Sequence, residues 1–237
     1  LLNSDTEMLA RAVGSSEPPG ALDPTARASI SVSLFNNALS TRTRGVDWVV
    51  SYDTDFDWGD IRWSLSANYN DMEVLEAKAA PAALGGATMY SPLTLRNMET
   101  SDPKYRINLG ARVSIGDFTI NLRESIYGES YSLVSATAFP QAVRDQLDIV
   151  NFRNVEYYKS EIGMMALFSI EAAWKPMDDL RISVGADNVF NQYPDKMPKA
   201  IWDYQSERYN NSLRQYLTGS PVGYFGRRLY AKVSKTF

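Results

Sequence analysis

The chain has 237 residues, with 24 Lys and Arg against 28 Asp and Glu for a formal charge of −4, and neither cysteine nor histidine. That balance excludes a nucleic-acid binder relying on bulk charge. The missing residue types exclude disulfides, thiolate metal sites, His zinc sites and a His-dependent catalytic triad.

No apolar run reaches the roughly 18 residues that a transmembrane helix needs. The slightly polar mean hydropathy leaves a membrane barrel open, because alternation averages its two faces away. The opening Leu-Leu-Asn, with no methionine, basic region or signal peptide, predicts a mature product or a fragment of an exported protein.

Taken in chain order, residues 1–27 read as part of an extracellular loop. In it, Ser4 and Glu7 have capping-box spacing ahead of Met8 and Leu9, which predicts a short helix. Residues 28–54 read as one long strand with a bulge at Asn36-Asn37, and Val46, Trp48, Val50 and Tyr52 alternate there with Asp47, Val49, Ser51 and Asp53. Ile61, Trp63, Leu65, Ala67 and Tyr69 continue the period, as do Tyr105, Ile107, Leu109, Ala111, Val113 and Ile115. Phe118, Ile120, Leu122 and Ile126 follow, with Glu124 interrupting their apolar face. Ile162 to Trp174, Leu180 to Ala186 and the terminal Gly223 to Phe237 bring the expected strands to seven. Each is about ten residues, enough to cross a bilayer when tilted.

The connections alternate in length. Short ones fall near Asp55–Gly59, at Gly116-Asp117 and at Pro176–Asp178, and long ones run through 71–103, 129–159 and 191–222. Short periplasmic turns and long extracellular loops are the layout of an outer-membrane barrel. A soluble β-sandwich or propeller fragment, the competing reading, rarely carries three such loops on one edge, since median connections are about 4–6 residues. The rhythm puts Phe237 on the periplasmic side, with Trp174 and Phe118 in the periplasmic aromatic belt and Tyr69 and Tyr105 in the outer one. An odd number of strands does not close a bacterial barrel, so the sequence predicts that another segment completes it.

Counting back by twos from Phe237 gives Lys235, Val233, Ala231, Leu229, Arg227 and Phe225, a mostly apolar set ending on an aromatic. This resembles the closing strand of bacterial outer-membrane barrels, and the resemblance implies that Phe237 is the assembly signal. Three further motifs narrow it: Asn37 to Asp47 (NALSTRTRGVD), Val184 to Tyr193 (VGADNVFNQY, with Gly185, Asn188, Phe190 and Tyr193), and Gly226-Arg227 ahead of the last strand. Tyr127-Gly128 adds the aromatic-Gly end of an ascending strand. Together these resemble the C-terminal part of TonB-dependent outer-membrane receptors.

The resemblance implies an all-β transmembrane antiparallel β-barrel, with residues 28–237 supplying the last seven of 22 strands and a plug domain lying outside this chain. It implies TonB-energised uptake of a scarce ligand such as a siderophore, haem, cobalamin or oligosaccharide across the Gram-negative cell outer membrane. The implied partners are the N-terminal plug and barrel portion, the TonB complex, the barrel-assembly machinery and outer-membrane lipid; no cofactor and no catalytic role are expected. The alternatives are a passive porin or structural barrel, and an outer-membrane enzyme barrel.

The expected lumen- or plug-facing residues are Arg62, Arg106, Arg112, Arg123, Arg181, Asp187, Arg228 and Lys232, with Glu171 beside them. Their simpler reading is solvation of a wet wall, where an exposed pair contributes about 0–1 kcal/mol. In the loops, Trp202, Tyr204, Arg208, Tyr209, Arg214 and Tyr216, with Tyr157 and Tyr158, combine stacking area with charge-assisted donors suited to a sugar, catechol or carboxylate. Their simpler reading is girdle or loop packing. Asp53, Asp55, Asp57 and Asp60 imitate the start of a calcium loop. Their glycine is one place late and Ser64 stands where a bidentate glutamate belongs, so a polar turn explains them better and no metal site is expected. Asn188 is expected to bond local backbone.

Overall fold

A computed structural model describes residues 39–79, 90–209, 215–217 and 219–236; the side chain of Tyr209 is outside that description. The expected loop at 1–27 with its Ser4–Glu7 cap, the bulge at Asn36-Asn37, Arg214 and Phe237 lie outside the described residues. The chain divides into two compact units, Leu1–Arg42 with Glu73–Ser91, and Thr43–Met72 with Pro92–Phe237. In the first, Arg42 pairs with Glu73. The second holds the described helices and most of the strand residues.

The fold is mostly antiparallel sheet. Seven strands form one sheet: β1 (Leu39–Phe56), β2 (Gly59–Ala77), β3 (Tyr105–Ile115), β4 (Phe118–Tyr127), β8 (Met165–Met177), β9 (Leu180–Asp187) and β10 (Arg228–Lys235), hydrogen-bonded in that order. They are the seven expected from the two-residue period. Among the described residues the sheet has two open edges, β1 and β10.

The register turns the period of each strand into rows. Leu65 faces Leu109, Trp63 faces Ala111 and Ile61 faces Val113. The rows continue as Ala111–Leu122–Ile170–Ala186–Leu229, then Val113–Ile120–Ala172–Val184–Ala231, then Ile115–Phe118–Trp174–Ile182–Val233. A one-residue slip in any strand would move its apolar set to the other face, so seven consistent strands define one apolar face. Nothing in the described chain covers it. Trp48, Val50, Tyr52, Trp63, Leu109, Phe118, Ile120, Ile170, Trp174, Val184, Leu229 and Val233 are between 37% and 74% exposed.

One end of the sheet carries the two-residue turns Asp57-Trp58, Gly116-Asp117 and Asp178-Asp179, and Thr236 N–H donates to Asp179 O there at 2.9 Å. Aromatic rings mark that end: Phe56 stacks on Trp58 at 4.9 Å and Phe118 on Trp174 at 6.1 Å between centroids. Lys235, the charge within the apolar set, reaches Asp179 at 3.6 Å. At the opposite end Tyr69 pairs with Tyr105.

Three expectations about boundaries are corrected. The strand read from Ile162 to Trp174 is two strands, broken at Gly163-Met164, with Ile162 ending a different sheet. The last strand starts at Arg228, because Gly226 takes φ +61° and turns the chain, so Phe225 and Arg227 are not on it. The segment 129–159 is not an open loop. It builds a second, three-stranded sheet from β5 (Ser130–Ser135), β6 (Ile149–Phe152) and β7 (Val155–Ile162), in the order β5-β7-β6.

Helices α1 (Pro92–Thr100), α2 (Gln141–Arg144) and α3 (Lys199–Tyr209) join this small sheet to make a cap. Pro92 begins α1, where its missing N–H costs nothing. Asn97 on α1 then takes the place of a strand partner for β5: its Nδ2 donates to Leu133 O at 2.9 Å and its Oδ1 accepts from Leu133 N at 2.7 Å. The cap core is Phe139, Val143, Tyr158 and Ile201, with Met197 and Tyr204 packed on it. Burying a side chain such as Ile201 or Phe139 contributes about 1.5–3 kcal/mol, which holds α3 down.

Gly185 sits where the packing leaves no room for a side chain. A Cβ there would run into the Tyr230 ring, 2.5 Å from its hydroxyl, which donates to Glu171 Oε2 at 3.2 Å. Gly185→Ala is expected to push the ring off the strand and cost about 1–3 kcal/mol. Tyr230→Phe, which loses only the hydrogen bond, should cost about 1 kcal/mol. Urea unfolding of the intact protein measures both, and a neutral Gly185→Ala would contradict the close packing on Tyr230.

Candidate functional site

The face opposite the apolar one is charged. Register parity places Arg62, Arg106, Arg112, Arg123, Arg181, Asp187, Arg228 and Lys232 all on it. Two carboxylates organise the centre. Glu171 accepts from Asn121 Nδ2 at 3.2 Å and from the Tyr230 hydroxyl at 3.2 Å, and lies 3.5 Å from Arg181. Asp187 lies 2.8 Å from Arg228 and 3.8 Å from Arg123. At the β1 side Arg62 forks onto Asp53 at 2.7 and 3.1 Å, which takes Asp53 into an ion pair. Arg62 stands directly across from Arg112. Like charges opposite one another repel, so Arg112 leaves a local excess of positive charge between Arg62 and Asn121. A groove of about 490 Å³ with a mixed lining, in which Arg62, Arg112, Arg123, Glu171 and Asp187 take part, runs over these rows.

The loop candidates separate in the structure. Tyr157 and Tyr158 are each 6% exposed and pack the cap. Burial pushes the Tyr158 hydroxyl above the ordinary tyrosine range, against the opposing effect of its bond with Ser160. Tyr204 meets Phe139 edge-on at 6.3 Å, with the Arg208 guanidinium 6.0 Å above the Tyr204 ring. Trp202 is half-buried on α3, and its Nε1 has no hydrogen-bond partner among the described residues. Tyr209 ends α3.

Tyr216 does something else. It is the middle of a ladder, stacked on Tyr193 at 5.5 Å and 9° and on Tyr224 at 6.0 Å and 17°. Gly226 lets this ladder form: a Cβ there would sit 2.6 Å from Tyr193 Cζ. Asn191 Oδ1 accepts from Arg227 N–H at 2.9 Å, and Asn188 closes on its own loop, donating to Gln192 O at 2.7 Å and accepting from Gln192 N at 2.8 Å. Tyr193 is 39% and Tyr224 47% exposed, so the two outer members of the ladder reach solvent. The sequence reading singled out Tyr193 and Tyr216 in different roles and did not single out Tyr224, since no local spacing joins them.

No protein-family model matches the chain, and comparison with curated proteins gives no match.

Proposed function

We propose that the chain is the C-terminal part of the β-barrel of a TonB-dependent outer-membrane receptor, supplying the last seven strands of a 22-stranded plugged barrel that takes up a scarce ligand. The observation that carries this reading is the uncovered apolar face shared by all seven strands. A soluble monomer rarely exposes a contiguous apolar patch beyond a few hundred Å², whereas lipid on one face and a polar lumen on the other require this division.

Three features support it further. Aromatic rings sit at both ends of the apolar rows, the short turns all lie at one end, and the elaborated connections all lie at the other. In this reading the Arg-rich face lines the lumen and meets the plug, and the tyrosine ladder stands outside. Loop truncation is a poor test of ligand capture, because 191–222 contributes Met197, Ile201 and Tyr204 to the cap core.

The informative experiment follows ligand binding and uptake separately in cells. Loss of TonB, or collapse of the proton gradient, is expected to abolish uptake while surface binding persists. Uptake that continues without either would replace active transport with passive diffusion.

A further inference from the structure

The apolar face of the seven-stranded sheet holds a carboxyl group deep within it. Glu124 stands in the row Leu109–Glu124–Phe168. Among the described strand residues it is the only Asp, Glu, Lys or Arg on that face between the Phe118–Trp174 and Tyr69–Tyr105 rows. At about 3.4 Å per residue it lies roughly 20 Å along the strand from Phe118 and roughly 14 Å from the tyrosine row. The side chain is half-buried, and its carboxyl group has no hydrogen-bond or ion-pair partner among the described residues. Where a sheet faces lipid, an ionisable group at such depth is costly, and such groups mark binding sites.

A groove opens beside Glu124. Its volume is about 390 Å³, within the roughly 300–1,000 Å³ of small-ligand sites. It crosses five strands, from Val50 and Tyr52 on β1 to Phe168 on β8. Ala111 and Leu122 lie mid-course, Trp63 and Leu65 stand on the β1 side of them, and Glu124 and Phe168 end it. Neighbouring strands are about 4.8 Å apart, so the groove is roughly 19 Å long and about 20 Å² in section. A helix with its side chains is about 10–12 Å wide and does not enter, whereas a single alkyl chain does.

We propose that this groove binds a single-chain ammonium amphiphile, with the ammonium on Glu124 and the chain running toward Trp63 and Tyr52.

Charge complementarity selects the head. A plain acyl chain fills the apolar course but leaves the carboxyl group unpaired away from water. An ammonium brings a positive charge and N–H donors together, the stronger class of hydrogen bond. The Phe168 ring, directly across from Glu124, offers its face to the same cation. Of the other residues lining the groove only Tyr52 and Arg123 are titratable. Tyr52 is three strands away, and Arg123 belongs to the opposite face, where it meets Asp187. A phospholipid's ammonium is tied to a phosphate and held at the bilayer surface, level with the aromatic rows.

The membrane reading supplies only the route of entry, from lipid. The test titrates the intact protein in phosphatidylcholine vesicles with terminally brominated dodecylamine, whose bromine quenches a tryptophan that it touches. Saturable quenching is expected, most of it lost in Trp63→Phe. Brominated dodecanol and dodecanoate should quench only in proportion to their partitioning into the vesicles. Glu124→Gln keeps the shape and removes the charge, and should weaken amine binding about tenfold or more. Ala111→Leu fills the middle of the groove, leaves Glu124 in place and should weaken it comparably.

Equal binding of the amine and the alcohol, or amine binding unchanged in Glu124→Gln, overturns the proposal. Absence of amine binding in a protein that still shows TonB-dependent uptake rejects the groove alone. Amine binding without such uptake upholds the groove and rejects the transport reading.

Discussion

On the proposed barrel reading, residues 1–237 refolded alone into detergent are expected to give no compact, heat-modifiable band on a gel. Among the described residues the sheet ends on β1, which is 18 residues long, and on β10, which is 8. Each edge strand presents a row of N–H and C=O groups to the medium on its outer side. In water such groups find solvent, but in a bilayer or micelle core each unpaired one costs several kcal/mol. Burying the apolar face in detergent does not offset a full row of them. The same reading expects that co-refolding with a segment able to complete the sheet restores the heat-modifiable species. A monomeric, heat-modifiable form of these residues alone would overturn the open-sheet reading and require a closed barrel of smaller size.

Ile170→Arg should separate the membrane and soluble readings most sharply. Ile170 lies in the row Ala111–Leu122–Ile170–Ala186, midway between the Phe118–Trp174 row at one end and the Tyr69–Tyr105 row at the other. At the centre of a lipid-facing band an arginine costs about 2–4 kcal/mol. The same change one residue away, Ser169→Arg, points to the polar face beside Arg123 and Asp187 and should cost well under half as much. On a soluble protein the ordering would reverse, because Ile170 is 37% exposed and a charge there would improve solubility. Urea unfolding in lipid vesicles reads the difference, and equal stability of the two variants would remove the membrane from the account.

The strands were legible because their signal is local. The medium on each side of a strand acts on every second residue, so Ile107 to Ile115 or Ile182 to Ala186 declare their face without reference to any distant contact. The same parity placed Arg62, Arg123 and Asp187 on one face before any pairing was known. Turn length was equally readable, since Gly116-Asp117 and the Asp-rich segment before Gly59 leave no room for more than a tight reversal.

The cap was not legible for the opposite reason. β6 is four residues long and β5 six, too short for a period to stand out, and each is stable only because other segments complete it. Tyr157 and Tyr158 looked like loop aromatics available to a ligand. Tyr158 is buried because Phe139, Val143 and Ile201 arrive from elsewhere in the chain to cover it, and Tyr157, on the other face of the same strand, meets the Phe152 ring. The tyrosine ladder of Tyr193, Tyr216 and Tyr224 likewise joins residues that no spacing connects.

The sequence by itself determined the two-sided sheet and the ends at which it turns, because a solvent boundary imprints itself residue by residue. Only the tertiary structure decided which loop side chains became core and which stayed available, because that depends on non-local burial, where a few distant apolar residues settle the fate of each aromatic they cover.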